Sequence, residues 1–147
     1  MQLAQALRVA VAAAVVGGSA CALLLPSTSS GAPAGGRPAT KITERDFSIS
    51  APKKVRAGDV TFTVTNNGPD THELIVVRSN GAPLPLRADG LTVDEARVDP
   101  RIAGSLDGGG PRTTRTLHVR LAPGRYVLLC NMAGHFLGGM HRMLVVK

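Results

Sequence analysis

The run Val60-Thr61-Phe62-Thr63-Val64-Thr65 alternates apolar and polar residues without a break. Successive side chains of an extended chain point to opposite faces. A period of two therefore describes a strand with one buried and one wetted face, whereas a helix would scatter these apolar residues around its circumference. The same alternation returns in Thr114–Leu121 (TRTLHVRL), with Leu117, Val119 and Leu121 facing inward. Asn66-Asn67-Gly68-Pro69-Asp70 and Pro123-Gly124 are turn clusters. His72–Arg78 (HELIVVR) is strand-like and apolar on both faces, Arg125–Cys130 (RYVLLC) reads as a buried strand, and His141–Lys147 (HRMLVVK) as the closing one. Upstream, Ile42–Ser50 and Lys53–Arg56 read as two short strands parted at Pro52. Short strands and turns at this spacing predict an all-β, antiparallel sandwich.

Ser79–Pro111 breaks the pattern. It carries Pro83, Pro85, Pro100 and the run Gly108-Gly109-Gly110. It is read as a long excursion between two strands, with one or two helical turns over Leu91–Val98 and Thr92 as their cap.

The N-terminus belongs to a different regime. Val9–Leu25 is small and apolar throughout, and Arg8 is the only charged side chain before Arg37. A short basic start followed by such a run predicts export. The run is also close to the shortest that spans a bilayer. Three fates fit it: cleavage, after Ala34 or after Ala20; retention as a membrane tether through residues 7–25; or lipid attachment at Cys21, against which stands Gly18 three positions earlier. Residues 1–34 are thus assigned to an export signal or anchor with the start of a Pro-, Gly- and Ser-rich linker, 35–40 to the rest of that linker, and 41–147 to one folded domain. The protein is expected to be periplasmic or extracellular.

The formal net charge is +7. Solubility is one reading of it; an acidic redox partner or an anionic membrane surface is another. Nucleic acid is excluded as a partner, because the basic residues are scattered and one Tyr, three Phe and no Trp leave little for bases to stack on.

Cys21 and Cys130 are the two cysteines. Loss of the leader leaves Cys130 unpaired in an oxidising compartment, and metal ligation is a reason for such a thiol. Its surroundings agree. Cys130-Asn131-Met132-Ala133-Gly134-His135-Phe136-Leu137-Gly138-Gly139-Met140 has the spacing C-x4-H-x4-M between two strands. Glycine lets so short a loop bend until a thiolate, an imidazole and a thioether converge. His72, opening a strand after the Asn66–Asp70 turn, is the best-placed second imidazole. Two imidazoles, one thiolate and one weak axial thioether are the ligand set of a blue-copper electron-transfer site. His141 is the rival ligand. His118 falls on the polar phase of its strand and is expected to be exposed; Met132 and Met143 are read as core packing.

Two segments, VTFTVTNNGPDTHELIVV and GRYVLLCNMAGHFLGGMHRMLVV, resemble the cupredoxins, the group of plastocyanin, azurin, auracyanin and rusticyanin. The resemblance implies a Greek-key β-sandwich with one copper ion at one end, held by His72, Cys130, His135 and Met140. It also implies an apolar docking patch for a redox protein partner near His135, Phe136 and Leu137, with Met132 and Ala133 beside them. Two positions depart from the family. Glu73 stands where many relatives have Asn, and Ala133 where many have Pro. The predicted function is that of a monomeric single-electron carrier, not an enzyme. Copper delivery or homeostasis is the alternative, weakened by having only Met132, Met140 and Met143 after the leader. A zinc hydrolase would need a general base that nothing but Glu73 supplies. Multicopper or binuclear copper centres would need more than four histidines or a second loop cysteine.

Overall fold

The computed structural model describes residues 39–147. The expected leader at 1–34 and all but the last two residues of the linker at 35–40 lie outside the described residues. Among the described residues no helix is long and apolar enough to cross a membrane.

The strands are β1 (Thr40–Arg45), β2 (Ser48–Ser50), β3 (Lys54–Val55), β4 (Gly58–Asn66), β5 (His72–Arg78), β6 (Ile102–Gly109), β7 (Thr114–Leu121), β8 (Gly124–Leu129) and β9 (His141–Val146), with an α-helical turn, α1 (Glu95–Val98), and a 3-10 turn over Asp99–Arg101. They form two stacked sheets in a Greek-key sandwich, ordered β2-β1-β4-β7 and β3-β9-β8-β5-β6. The alternation in β4 and β7 places Val60, Phe62, Val64, Leu117, Val119 and Leu121 in the core between the sheets. There they meet Leu74 and Val76 of β5, Tyr126 and Leu128 of β8, and Leu144 and Val146 of β9.

The two-faced apolarity of β5 has a separate cause. Its second face, Ile75 and Val77, packs with Leu129 under Val93 and Val98 of the excursion. That segment therefore covers the outside of the second sheet, and its apolar residues remove a face from water that would otherwise be wetted.

Four expectations need correction. The sandwich is mixed, because β1 runs parallel to β4 and β3 parallel to β9. The strand expected over Ile42–Ser50 breaks at Asp46-Phe47, where Phe47 takes φ 59° and the chain reverses into β2. The excursion is shorter than read, since Ile102–Gly109 is strand β6, paired with β5. Its glycines hide it from β propensity, yet one of them has a packing reason. A side chain at Gly104 would approach Val119 and Leu117 of the opposite sheet at 3.3 and 3.5 Å. The α-helical turn covers Glu95–Val98, with a 3-10 turn over Asp99–Arg101 after it, and is capped by Asp94, whose carboxylate accepts the Arg97 N–H, rather than by Thr92.

Candidate metal centre

Four connections gather at one end of the sandwich: the β1–β2 turn, the β4–β5 loop, the β6–β7 loop and the β8–β9 loop. The β4–β5 loop is tied by Asn66, which is fully buried. Its amide donates to the carbonyls of Asp70 (2.7 Å) and Gly109 (2.9 Å), and its Oδ1 accepts the Gly68 N–H at 2.8 Å. A loop pinned in this way delivers His72 to the first position of β5. The β8–β9 loop is tied from within. Met140 C=O accepts the Cys130 N–H (3.1 Å), and Met140 N–H donates to His135 C=O (2.9 Å). Its tight reversals use Gly134 (φ 79°) and Gly139 (φ 104°), a region that favours glycine.

The result is convergence. Donor atoms of His72, Cys130 and His135 all lie within 4.8 Å of one another. His72 Nδ1 is 3.3 Å from His135 Nδ1, and Cys130 Sγ is 3.5 Å from the same nitrogen. His72, Cys130 and Met140 are fully buried, while His135 is half-buried. Met140, the fourth predicted ligand, is linked to Cys130 and His135 through its backbone as above. The rival His141 lies outside the cluster. It is exposed, and its ring packs on Phe136 with centroids 5.0 Å apart. His118 is exposed as expected and faces Thr61 at 3.1 Å. Met132 packs against the core, but Met143 is 41 % exposed, which corrects its reading as core. It falls on the outward phase of β9.

Burial sets the protonation of the cluster. It raises the Cys130 thiol above its ordinary value, opposed by hydrogen bonding at the adjoining backbone. It lowers His72, against the pull of Asp46, whose Oδ1 accepts from His72 Nε2 at 3.0 Å. Without metal, the centre is thus a neutral thiol and neutral imidazole at neutral pH.

Several residues around the cluster escaped the sequence reading. Asp46 and Phe47, which fall inside an expected strand, instead form a turn over the site. Phe47 meets the His135 ring edge-on at 5.6 Å and lies where any side chain at Gly138 would have to go. The one signal was a phase slip: the inward residues of this stretch change from even (Ile42, Glu44) to odd (Ile49). Asn131, also missed, clamps the excursion to the ligand loop. Its side chain accepts the Val93 N–H (2.6 Å) and donates to Val93 C=O (3.0 Å) and Glu95 Oε1 (2.7 Å). Glu73, flagged as a departure, accepts the Asn131 N–H at 3.1 Å. The carboxylate thus ties the two ligand-bearing segments together.

Neighbours among solved structures agree with this architecture. Auracyanin from the photosynthetic bacterium Roseiflexus castenholzii is 23 % identical, with a TM-score of 0.54 over 73 % of this chain and 94 % of that one. Azurin from Methylomonas sp. strain J is 18 % identical, with a TM-score of 0.53 over 74 % and 96 %. This is the cupredoxin fold. The copper protein rusticyanin shares it at 18 % identity, with a TM-score of 0.54 over 73 % of this chain and 76 % of that one. No protein-family model matches the sequence, and no curated protein matches it. At such identities what the cupredoxins lend is the fold; the chemistry rests on this chain's own donors. A thiol and a thioether are soft and suit Cu(I), and imidazole suits both oxidation states. The set His72, Cys130, His135 and Met140 fits one type 1 copper ion.

Proposed function

We infer that this protein is an exported blue-copper electron carrier, not an enzyme. The observation that carries the reading is the convergence of two imidazole nitrogens and a thiol sulfur on one point at the end of a rigid sandwich. Copper held there would supply a one-electron couple. The chain's part is to keep the donors where both oxidation states are accepted, so that little moves when an electron does. β5 and β8, hydrogen-bonded neighbours, carry His72 and lead directly into Cys130. Met140, set by its backbone bonds to Cys130 and His135, would supply the fourth, weaker donor in this reading.

The partner side follows from exposure. His135 is the ligand nearest solvent, and Leu137 and Phe47, each 52 % exposed, flank it. This apolar rim suits close approach of a redox protein. Phe136 is half-buried against His141 and borders the face rather than centring it. Copper delivery receives less support, because His72 and Cys130 are 0 % exposed and offer no ready exchange route. Export is supported by the Val9–Leu25 run and by the unpaired, buried Cys130.

The test is a visible absorption titration of residues 35–147 with Cu(II). An intense thiolate-to-copper band, saturating at one copper per chain and bleached by reductant, is expected. A pale spectrum throughout would remove the electron-carrier reading.

A further inference from the structure

The ring of His72 is engaged on both nitrogens. Nδ1 lies 3.3 Å from His135 Nδ1, while Nε2 lies 3.0 Å from Asp46 Oδ1. A carboxylate can only accept, and a neutral imidazole carries one N–H. The proton of His72 is therefore on Nε2, and its Nδ1 lone pair is directed into the cluster.

The surroundings are built for this contact. Asp46 is the first residue of the β1–β2 turn, and the second, Phe47, is held at φ 59°. A left-handed conformation is uncommon for an aromatic residue and persists only where the surroundings impose it. That turn sets Asp46 over one histidine and Phe47 beside the other. Gly68, buried in the β4–β5 loop, makes the room. A methyl group there would come within 2.6 Å of Asp46 Oδ1 and 2.9 Å of His72 Nε2.

We propose that Asp46 is a positioning residue of the metal centre. It fixes His72 in the Nε2–H tautomer and places a negative charge against that ligand, favouring the oxidised over the reduced metal and so lowering the reduction potential. A carboxylate behind a ligating histidine orients the ring and raises its basicity. The Asp46 side chain is 27 % exposed, so its charge faces the ligand with only partial solvent screening. The redox half of this proposal rests on the copper reading; the tautomer half concerns the metal-free protein.

Three variants separate the effects. Asp46→Asn keeps an acceptor of nearly the same shape and removes the charge. Asp46→Ala removes both, and Gly68→Ala displaces the contact without altering either partner. In the metal-free protein at about pH 8, above the ordinary imidazole range, long-range 1H–15N spectra should show the Nε2–H tautomer of His72 in wild type and Asp46→Asn. A population with the proton on Nδ1 should appear in Asp46→Ala and Gly68→Ala. In the copper-loaded protein, Asp46→Asn should shift the ratio of Cu(II) to Cu(I) affinity by ~10-fold, read as a potential about 59 mV higher for one electron. An unaltered tautomer in Asp46→Ala overturns the positioning role, and an unaltered potential in Asp46→Asn overturns the electrostatic one. Failure of the wild type to bind copper removes the carrier reading and the redox half together. The metal-free spectra then still decide whether Asp46 positions His72.

Discussion

Burial holds the Cys130 thiol protonated in the metal-free protein, above its ordinary value of 9.0. A metal must displace that proton to gain a thiolate. Copper(II) uptake near pH 7 should therefore release about one proton per chain, which calorimetry in buffers of different ionisation enthalpy measures; Cys130→Ala should lose the coloured site altogether. Met140→Leu should keep copper and raise its potential, since a donor to Cu(II) is lost, and an unmoved voltammogram would argue against Met140 as a ligand. His72 gives a pH signature without metal. Its pKa is lowered from 6.5 by burial, despite the hydrogen bond that its Nε2–H donates to Asp46, which opposes the shift. Below pH 6.5 the unfolded chain binds a proton that the folded chain refuses. Stability should thus fall as the pH drops from 6.5 through the lowered value, with no contribution from this group above it. Urea unfolding of the metal-free domain across that window, compared with His72→Gln, measures this term, and identical profiles would remove it.

The elements around the centre show where legibility stopped. The C-x4-H-x4-M loop and the histidine after a turn could be read because ligand chemistry fixes residue type as well as spacing. Asp46, Phe47 and Asn131 could not, because each acts through a tertiary contact that leaves no local pattern. Asn131 in particular imitates a backbone, exchanging two hydrogen bonds with Val93. Asn131→Ala would leave the Val93 N–H and C=O without their partner, at a cost of about 2 kcal/mol, together with a broadened copper spectrum; denaturant unfolding and absorption check the two parts. A second unread feature joins β1 to β7. Glu44 is fully buried and pairs with Arg115 at 2.5 Å, and the guanidinium also reaches the Asp107 carbonyl, over the spot where only a glycine, Gly109, leaves it room. Burial raises the Glu44 carboxyl against the opposing pull of Arg115. Arg115→Ala should cost about 3 kcal/mol at alkaline pH, as removing one partner of a buried pair does, and less at pH 5, where the carboxyl can take a proton. Equal loss at both pH values would mean that Glu44 is not left charged.

At the scale of the whole molecule the β architecture was legible because period-two alternation survives in β4 and β7. Strand β6 was not, since three of its eight residues are glycine and its identity comes from pairing with β5. The frame that results does not depend on the metal. The core of Phe62, Val64, Leu74, Val76, Leu128 and Leu144 lies between the sheets, and the donors are appended at one end. The metal-free domain should accordingly be folded, with strand-type circular dichroism and a cooperative melt. Free copper at a hundred times its Kd should then add about 2.7 kcal/mol, measured by unfolding with and without metal. A chain that folded only on adding copper would contradict a preformed site.

The order of the sheets has one more consequence, for the protein's behaviour at high concentration. Every open sheet ends in strands whose backbone can recruit another chain. Here β6 and β7, each ending its own sheet, lie against one another through Gly104, so that flank is shut by close packing. The other flank ends in β2 and β3, three and two residues long, with Pro52, Lys53, Lys54 and Arg56 exposed around them. Short, positively charged ends repel their own copies and give a growing fibre nothing to template on. The missing side chain at Gly104 is thus a safeguard against aggregation as much as a packing convenience, and a bulkier residue there would open the flank that the fold otherwise keeps closed.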